Sequence, residues 1–208
     1  LAQYSFCPVR FERAIELPKG YIFVIAASGV RAEKTGSALE LYNRVSRRLS
    51  VGLDIWNRAS GRSDRSMGAA ISSAPNARTQ IRAALGAATG AEYSSESLLQ
   101  RFDQFDREVN ELIPLAGDAL ARGDVTAFGE VVARSHTGAE LALDNQIPQT
   151  VSLVRQARQS GAVAASAFGA GFGGSVWALV EAAEVESFQR RWASAYHRQF
   201  PEAIGHSE

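Results

Sequence analysis

The chain has 208 residues, and its 22 Lys and Arg balance 22 Asp and Glu, so the formal net charge is zero. That balance supplies no electrostatic footprint for nucleic acid or an anionic membrane. A single cysteine, Cys7, excludes an internal disulfide, and His136, His197 and His206 are too scattered to form a zinc set. No apolar run approaches the roughly 18 residues of a spanning helix and no signal peptide opens the chain, which points to a cytoplasmic, reducing compartment. The length is enough to bury a sizeable core. Met67 is the only methionine and the chain opens Leu1-Ala2-Gln3, so residues upstream of Leu1 are expected. Apart from Lys19 and Lys34 every basic residue is Arg, a compositional bias that carries no functional signal.

The first twenty residues read as extended, with Pro8 dividing two β-forming stretches and Leu17-Pro18-Lys19-Gly20 as a turn. Tyr21 to Ala27 is a continuous, β-branched apolar run that predicts a buried strand closed by Ser28-Gly29. A helix is predicted over 37–59, with Leu39, Tyr42, Leu49, Leu53 and Trp56 near one face. After it come a loop over 60–64 and a short helix over 75–85. Residues 96–122 carry Leu98, Leu99, Phe102, Phe105, Val109, Leu112 and Ile113 at helical spacing, and Pro114 should kink or end that helix. Gly123 breaks the pattern and Asp124 predicts an N-cap for a helix over 125–143. Pro148 opens a helix ending near Gly161, and strands over 163–168 and 175–180 flank a glycine-rich loop. A final helix spans 183–200. Strands at both ends around a helical middle predict an α+β fold rather than alternating βαβ units.

Gly169-Ala170-Gly171-Phe172-Gly173-Gly174 matches G-x-G-x-x-G letter for letter. A dinucleotide fingerprint requires a helix after the loop, so that a pyrophosphate caps its N-terminus, and here a strand comes next. A strand–glycine loop–strand unit is either a tight hairpin or a place where backbone approaches a ligand. Four glycines in six residues exceed what a simple hairpin needs, and successive N–H groups can form an anion-binding nest.

The stretch from Gly161 through Gly169-Ala170-Gly171-Phe172-Gly173-Gly174 to Val180 resembles the third motif of the GHMP kinases, most closely that of the galactokinase branch. Val24-Ile25-Ala26-Ala27-Ser28-Gly29-Val30, then Glu33-Lys34 and Tyr42-Asn43-Arg44, resembles the segment of that branch running from a core strand into a helix. The two motifs fall in the family's order, and the resemblance covers nearly the whole chain. It implies a ferredoxin-like sheet with added helices, as in the GHMP kinase C-terminal domain, over residues 21–208. Residues 1–20 would be strands belonging to the end of an absent N-terminal domain.

The resemblance further implies phosphoryl transfer from ATP, with Mg2+, to a sugar hydroxyl. The family's Ser-rich phosphate loop, its catalytic Asp with an Arg partner and its Glu-His-Asp sugar signature would lie upstream, so no catalytic residue and no metal ligand is expected in this chain. Sugar and ATP would be engaged through that missing half. Loop residues Gly169 to Gly174 would lie beside the transferred phosphate, their N–H groups offsetting its charge. Tyr42 resembles the tyrosine that contacts the sugar, and a phenol can both stack on a sugar face and donate a hydrogen bond. A residue packing against the core is the other reading of Tyr42. The sequence departs from the family at Ser166, Phe168 and Ser175, which leaves the sugar open. A non-catalytic sugar-sensing module and a plain interaction domain are rival readings. Elsewhere, His136 reads as a polar-face residue, Asp103, Asp106, Glu108 and Glu111 as a solvated helix face, and Cys7 as a small buried hydrophobe.

Overall fold

The computed structural model describes residues 1–6, 8–31, 37–143, 145–169 and 172–203, with backbone alone over 37–42. Cys7 lies outside the described residues. Strands β1 (Ala2–Ser5) and β2 (Arg10–Ala14) form an antiparallel hairpin. A second sheet holds β3 (Tyr21–Ala27), β4 (Ala164–Ala167) and β5 (Ser175–Glu181) in the order β3-β5-β4. β5 is antiparallel to both neighbours, so β3 and β4 are parallel to each other. A parallel pair requires a crossover, and here its described residues between 37 and 159 are mostly helical. The arrangement is the split β-α-β of a ferredoxin-like sheet, as expected.

The helices are α1 (Ser37–Ser60), α2 (Met67–Ile71), α3 (Ala77–Gly86), α4 (Ser95–Arg107), α5 (Ile113–Ala121), α6 (Val125–Leu143), α7 (Pro148–Gln159) and, after β5, α8 (Val185–Gln199). Most begin where the sequence signals a start. Asp124 accepts the Ala127 N–H at 3.0 Å, and Ser94 accepts that of Ser97 at 3.2 Å. α2 is absent from the expected elements: five residues are too few to show a period, although its Ser66 cap is a legible signal.

Alternation along the strands divides the core between two sheet faces. Val24, Ala165, Val176, Ala178 and Val180 pack against Leu153, Val154 and Ala157 of α7 and Phe188, Trp192 and Tyr196 of α8. The other face sets Phe23, Trp177, Ala164 and Leu179 against α5 and α6, where Trp177 meets Phe23 edge-on at 5.4 Å between centroids. A separate cluster joins Trp56, Ile81, Leu85, Leu98 and Phe102 of α1, α3 and α4. The N-terminal hairpin docks on α5: Arg13 pairs with Asp118 at 2.7 Å, and Ile15 is buried beside Ala119 and Leu120.

The helical stretch expected over 96–122, to be kinked or ended at Pro114, divides next to that residue into α4, a π-helical turn over Glu108–Leu112, and α5. Pro114 lies in the first turn of α5, where it lacks no needed donor, and the wider π turn absorbs the clash its ring would cause. The extra residue in that turn shifts the helical phase from there into α5. Val109 and Ile113, expected in the core, are therefore exposed, while Leu112 is buried.

Two further expectations need correction. Asp103, Asp106 and Glu111 do not simply face water: they bridge helices through Arg82, Arg78 and Arg134. Each such pair contributes about 1 kcal/mol or less. Arg101, earlier on α4, is largely withdrawn and donates to the Val45 carbonyl at 3.2 Å. Burial, then repulsion from Arg48, pushes its pKa down to about 10, which leaves it charged at neutral pH.

His136 is not on a polar face either. It is buried in α6, and its Nε2 has no hydrogen-bond partner among the described residues. α6 lies between the sheet and α4, so more than one arc of its surface is covered. Burial lowers the His136 pKa, partly opposed by Glu140 one turn on. The folded protein thus favours neutral imidazole, whereas the unfolded chain takes up its proton near pH 6.5. Stability from this group is present above that pH and is lost as pH falls through the lower, folded pKa. Denaturant midpoints should fall between pH 7.5 and 5, and the fall should be smaller in His136→Gln. Equal slopes in both proteins would contradict this role.

No helix among the described residues is long and apolar enough to cross a membrane.

Candidate functional site

Both sequence motifs meet at one end of the sheet. β3 ends at Ala27 opposite Ser175, where β5 begins, so the segment after β3 lies against the glycine loop joining β4 to β5. Phe168 N–H donates to Ser175 O at 3.0 Å and closes the loop's base. Gly169, Gly173 and Gly174 have φ of 62°, 126° and 83°, so three of the loop's four glycines use backbone conformations that side-chain-bearing residues avoid. Ala170 and Gly171 lie outside the described residues.

The two segments are joined through their backbones. Ser28 N–H donates to Gly174 O at 2.8 Å, and Gly174 N–H donates to Val30 O at 2.8 Å. Gly173 is buried against the same segment: a Cβ built there would lie 3.0 Å from Val30 O and 3.1 Å from Arg31 O. Ser28 is fully buried, and its Oγ accepts the Val30 N–H at 3.2 Å, which tightens the turn after β3. Among the described residues no backbone acceptor takes the amide of Gly169 or Gly173. A loop with left-handed glycines, uncommitted amides and a braced flank can present N–H donors to an anion. The described loop residues carry no acid, and no group of three His, Cys, Asp or Glu able to hold a metal occurs among the described residues.

Tyr42 is in the second turn of α1, the helix that comes after this segment, and its side chain lies outside the described residues. A cavity of about 510 Å³ between α4 and α6, walled by Gln104, Glu108, Arg134 and Leu141, takes no residue from the glycine loop. The loop's backbone geometry, not that cavity, identifies the candidate site. Sequence reasoning does not single out Tyr196, whose hydroxyl donates to Ser28 O at 2.6 Å from 168 positions away. No local signal marks such a contact.

Residues 118–198 match the family described as GHMP kinases C terminal. Those residues include β4, the glycine loop and β5 of the split β-α-β sheet, so this part of the chain is similar to the C-terminal domain of the GHMP kinases. Its likeness within that family is to the galactokinases. The galactokinase of Thermococcus kodakarensis is 31% identical over 120 residues, which cover 54% of this chain and 34% of the relative. That of Roseiflexus sp. is 36% identical over 80 residues, covering 38% of this chain and 20% of the relative. The Lactococcus lactis galactokinase, solved in complex with galactose, superimposes with a TM-score of 0.71 at 24% identity over 97% of this chain and 47% of that one. The L. major mevalonate kinase, in complex with R-mevalonate, gives 0.51 at 13% identity over 97% of this chain and 45% of that one. The chain therefore spans less than half the length of the proteins it resembles.

Proposed function

We propose that this chain is the C-terminal portion of a cytoplasmic, galactokinase-like sugar kinase, with residues 1–20 ending a preceding N-terminal domain. The reaction would transfer the γ-phosphoryl group of MgATP to a hydroxyl of a hexose, with galactose the first candidate. The sugar oxygen forms a bond to phosphorus, the bond to the bridging β–γ oxygen breaks, and ADP leaves. The hydroxyl proton passes to a base supplied from outside this chain. The Gly169–Gly174 loop would lie beside the transferring phosphoryl group and donate to its oxygens through the N–H groups that the backbone leaves free, Gly169 and Gly173 among the described residues, where positioning and charge neutralisation supply most of the catalysis. Mg2+ would arrive on the nucleotide phosphates. Tyr42 would contact the sugar.

The observation that carries this reading is the glycine loop itself, held by Val30 and Ser28 at the end of the sheet with amides of Gly169 and Gly173 unclaimed by the described backbone. A protein joining this chain to its upstream coding sequence should release ADP when given MgATP and galactose or an epimer, and the 208-residue chain alone should not. A joined protein that binds galactose yet phosphorylates no sugar would overturn the kinase reading in favour of a sugar sensor.

A further inference from the structure

We propose that Tyr196, on α8, is a positioning residue for the glycine loop and acts through the segment Ser28–Arg31. This rests on the kinase reading for its consequence in catalysis, though not for the coupling itself. Tyr196 is 2% exposed, packs beside Phe200 and Trp192, and lies outside both motifs along the chain. Its hydroxyl donates to the Ser28 carbonyl, which would otherwise be a buried acceptor just past the end of β3. Burial, with Glu202 adding to it, pushes the phenol up to about 12, so the donor proton stays in place across the working pH range.

The contact matters because of what Ser28 holds. Its N–H is on Gly174, its Oγ receives the Val30 N–H, and Val30 O in turn accepts from Gly174 N–H. The Val30 and Arg31 carbonyls also form the wall against which Gly173 is fitted. A ring that only filled space would need no hydroxyl. Here the hydroxyl ties α8 to the carbonyl that orients this turn, and the turn sets two of the loop's glycines. Groups that direct charge stabilisation must be held within a fraction of an ångström, and that accuracy comes from the residues behind them.

Tyr196→Phe keeps the ring and removes only the donor. Amide hydrogen exchange in the 208-residue chain should accelerate about tenfold more at Ser28 and Gly174 than at the central pair Val24 and Ala178, the scale of one lost hydrogen bond. Ser28→Ala, which removes the bracing hydroxyl and leaves Tyr196 in place, should accelerate the same two amides. It keeps the test open if Tyr196→Phe does not fold. Equal acceleration at all four amides, or none, would overturn the proposal. In the joined kinase, Tyr196→Phe should lower kcat several-fold with the KM for sugar unchanged, whereas a merely structural role would reduce the active fraction alone. If the unsubstituted joined protein phosphorylates no sugar, the kinase reading fails while the exchange measurement still decides the coupling.

Discussion

Gly173→Ala in the joined kinase should lower kcat by about a hundredfold, the scale seen when a transition-state donor is displaced. Gly173 sits at φ 126°, and its Cβ would come within 3.0 and 3.1 Å of two backbone oxygens, Val30 O and Arg31 O. A flexible side chain could yield to such a contact, but these are backbone oxygens, and Val30 O is held by the Gly174 N–H and the Ser28 hydroxyl. The loop must therefore move instead. The strain amounts to about 1–3 kcal/mol, so the denaturant midpoint should drop while most of the protein remains folded at 25 °C. Gly169→Ala provides the comparison. Its φ is 62°, a region some residues visit, and no atom of the described residues lies within 4 Å of the added methyl. It should cost less stability and far less turnover. A fall in kcat for Gly173→Ala no larger than the loss of folded protein would show that the loop does not serve the transferring phosphate.

Gly129→Ala should destabilise the isolated chain by about 3 kcal/mol, at the upper end for overpacking. Gly129 is where α6 crosses β4, and a methyl there would collide with the Val163 carbonyl oxygen. That oxygen cannot withdraw, because Val163 N–H is tied to Leu179 O at 2.9 Å in the sheet core. Arg158 reinforces the approach by donating to Gly129 O at 3.1 Å. Gly138→Ala, nine residues along the same helix with no atom of the described residues within 4 Å of the added methyl, should be neutral or stabilising by up to about 1 kcal/mol from helix propensity. Urea unfolding of the three proteins separates the effects. Similar midpoints for both variants would mean that α6 is free to lift from β4.

Much of the architecture is legible along the chain. The run Tyr21 to Ala27 forms its strand over those residues, since seven apolar and β-branched residues between turn signals leave little else for the backbone to do. It is, however, an edge strand with Ile22 and Ile25 exposed, not the buried strand expected. Asp124 and Pro148 open their helices for local reasons, a cap and a preset φ. The glycine loop is recognisable from its letters and from the strand after it. By contrast, the burial of His136 escapes a sequence reading, because helical periodicity describes one buried face and α6 is covered on more than one. The π turn before Pro114 is also hidden, since the residues either side keep helical spacing and only packing shows the shift.

By itself, then, the sequence determined most of the order of strands and helices, the α+β class and the presence of a glycine-rich loop between two strands, all through local conformational preference and residue spacing. Tertiary structure alone decided that Gly173 rests on Val30 and Arg31, that Gly129 admits β4, and that Tyr196 braces Ser28. These contacts join residues far apart in the chain. Their energies depend on distances of a few ångströms between backbone groups, which spacing along a sequence does not encode.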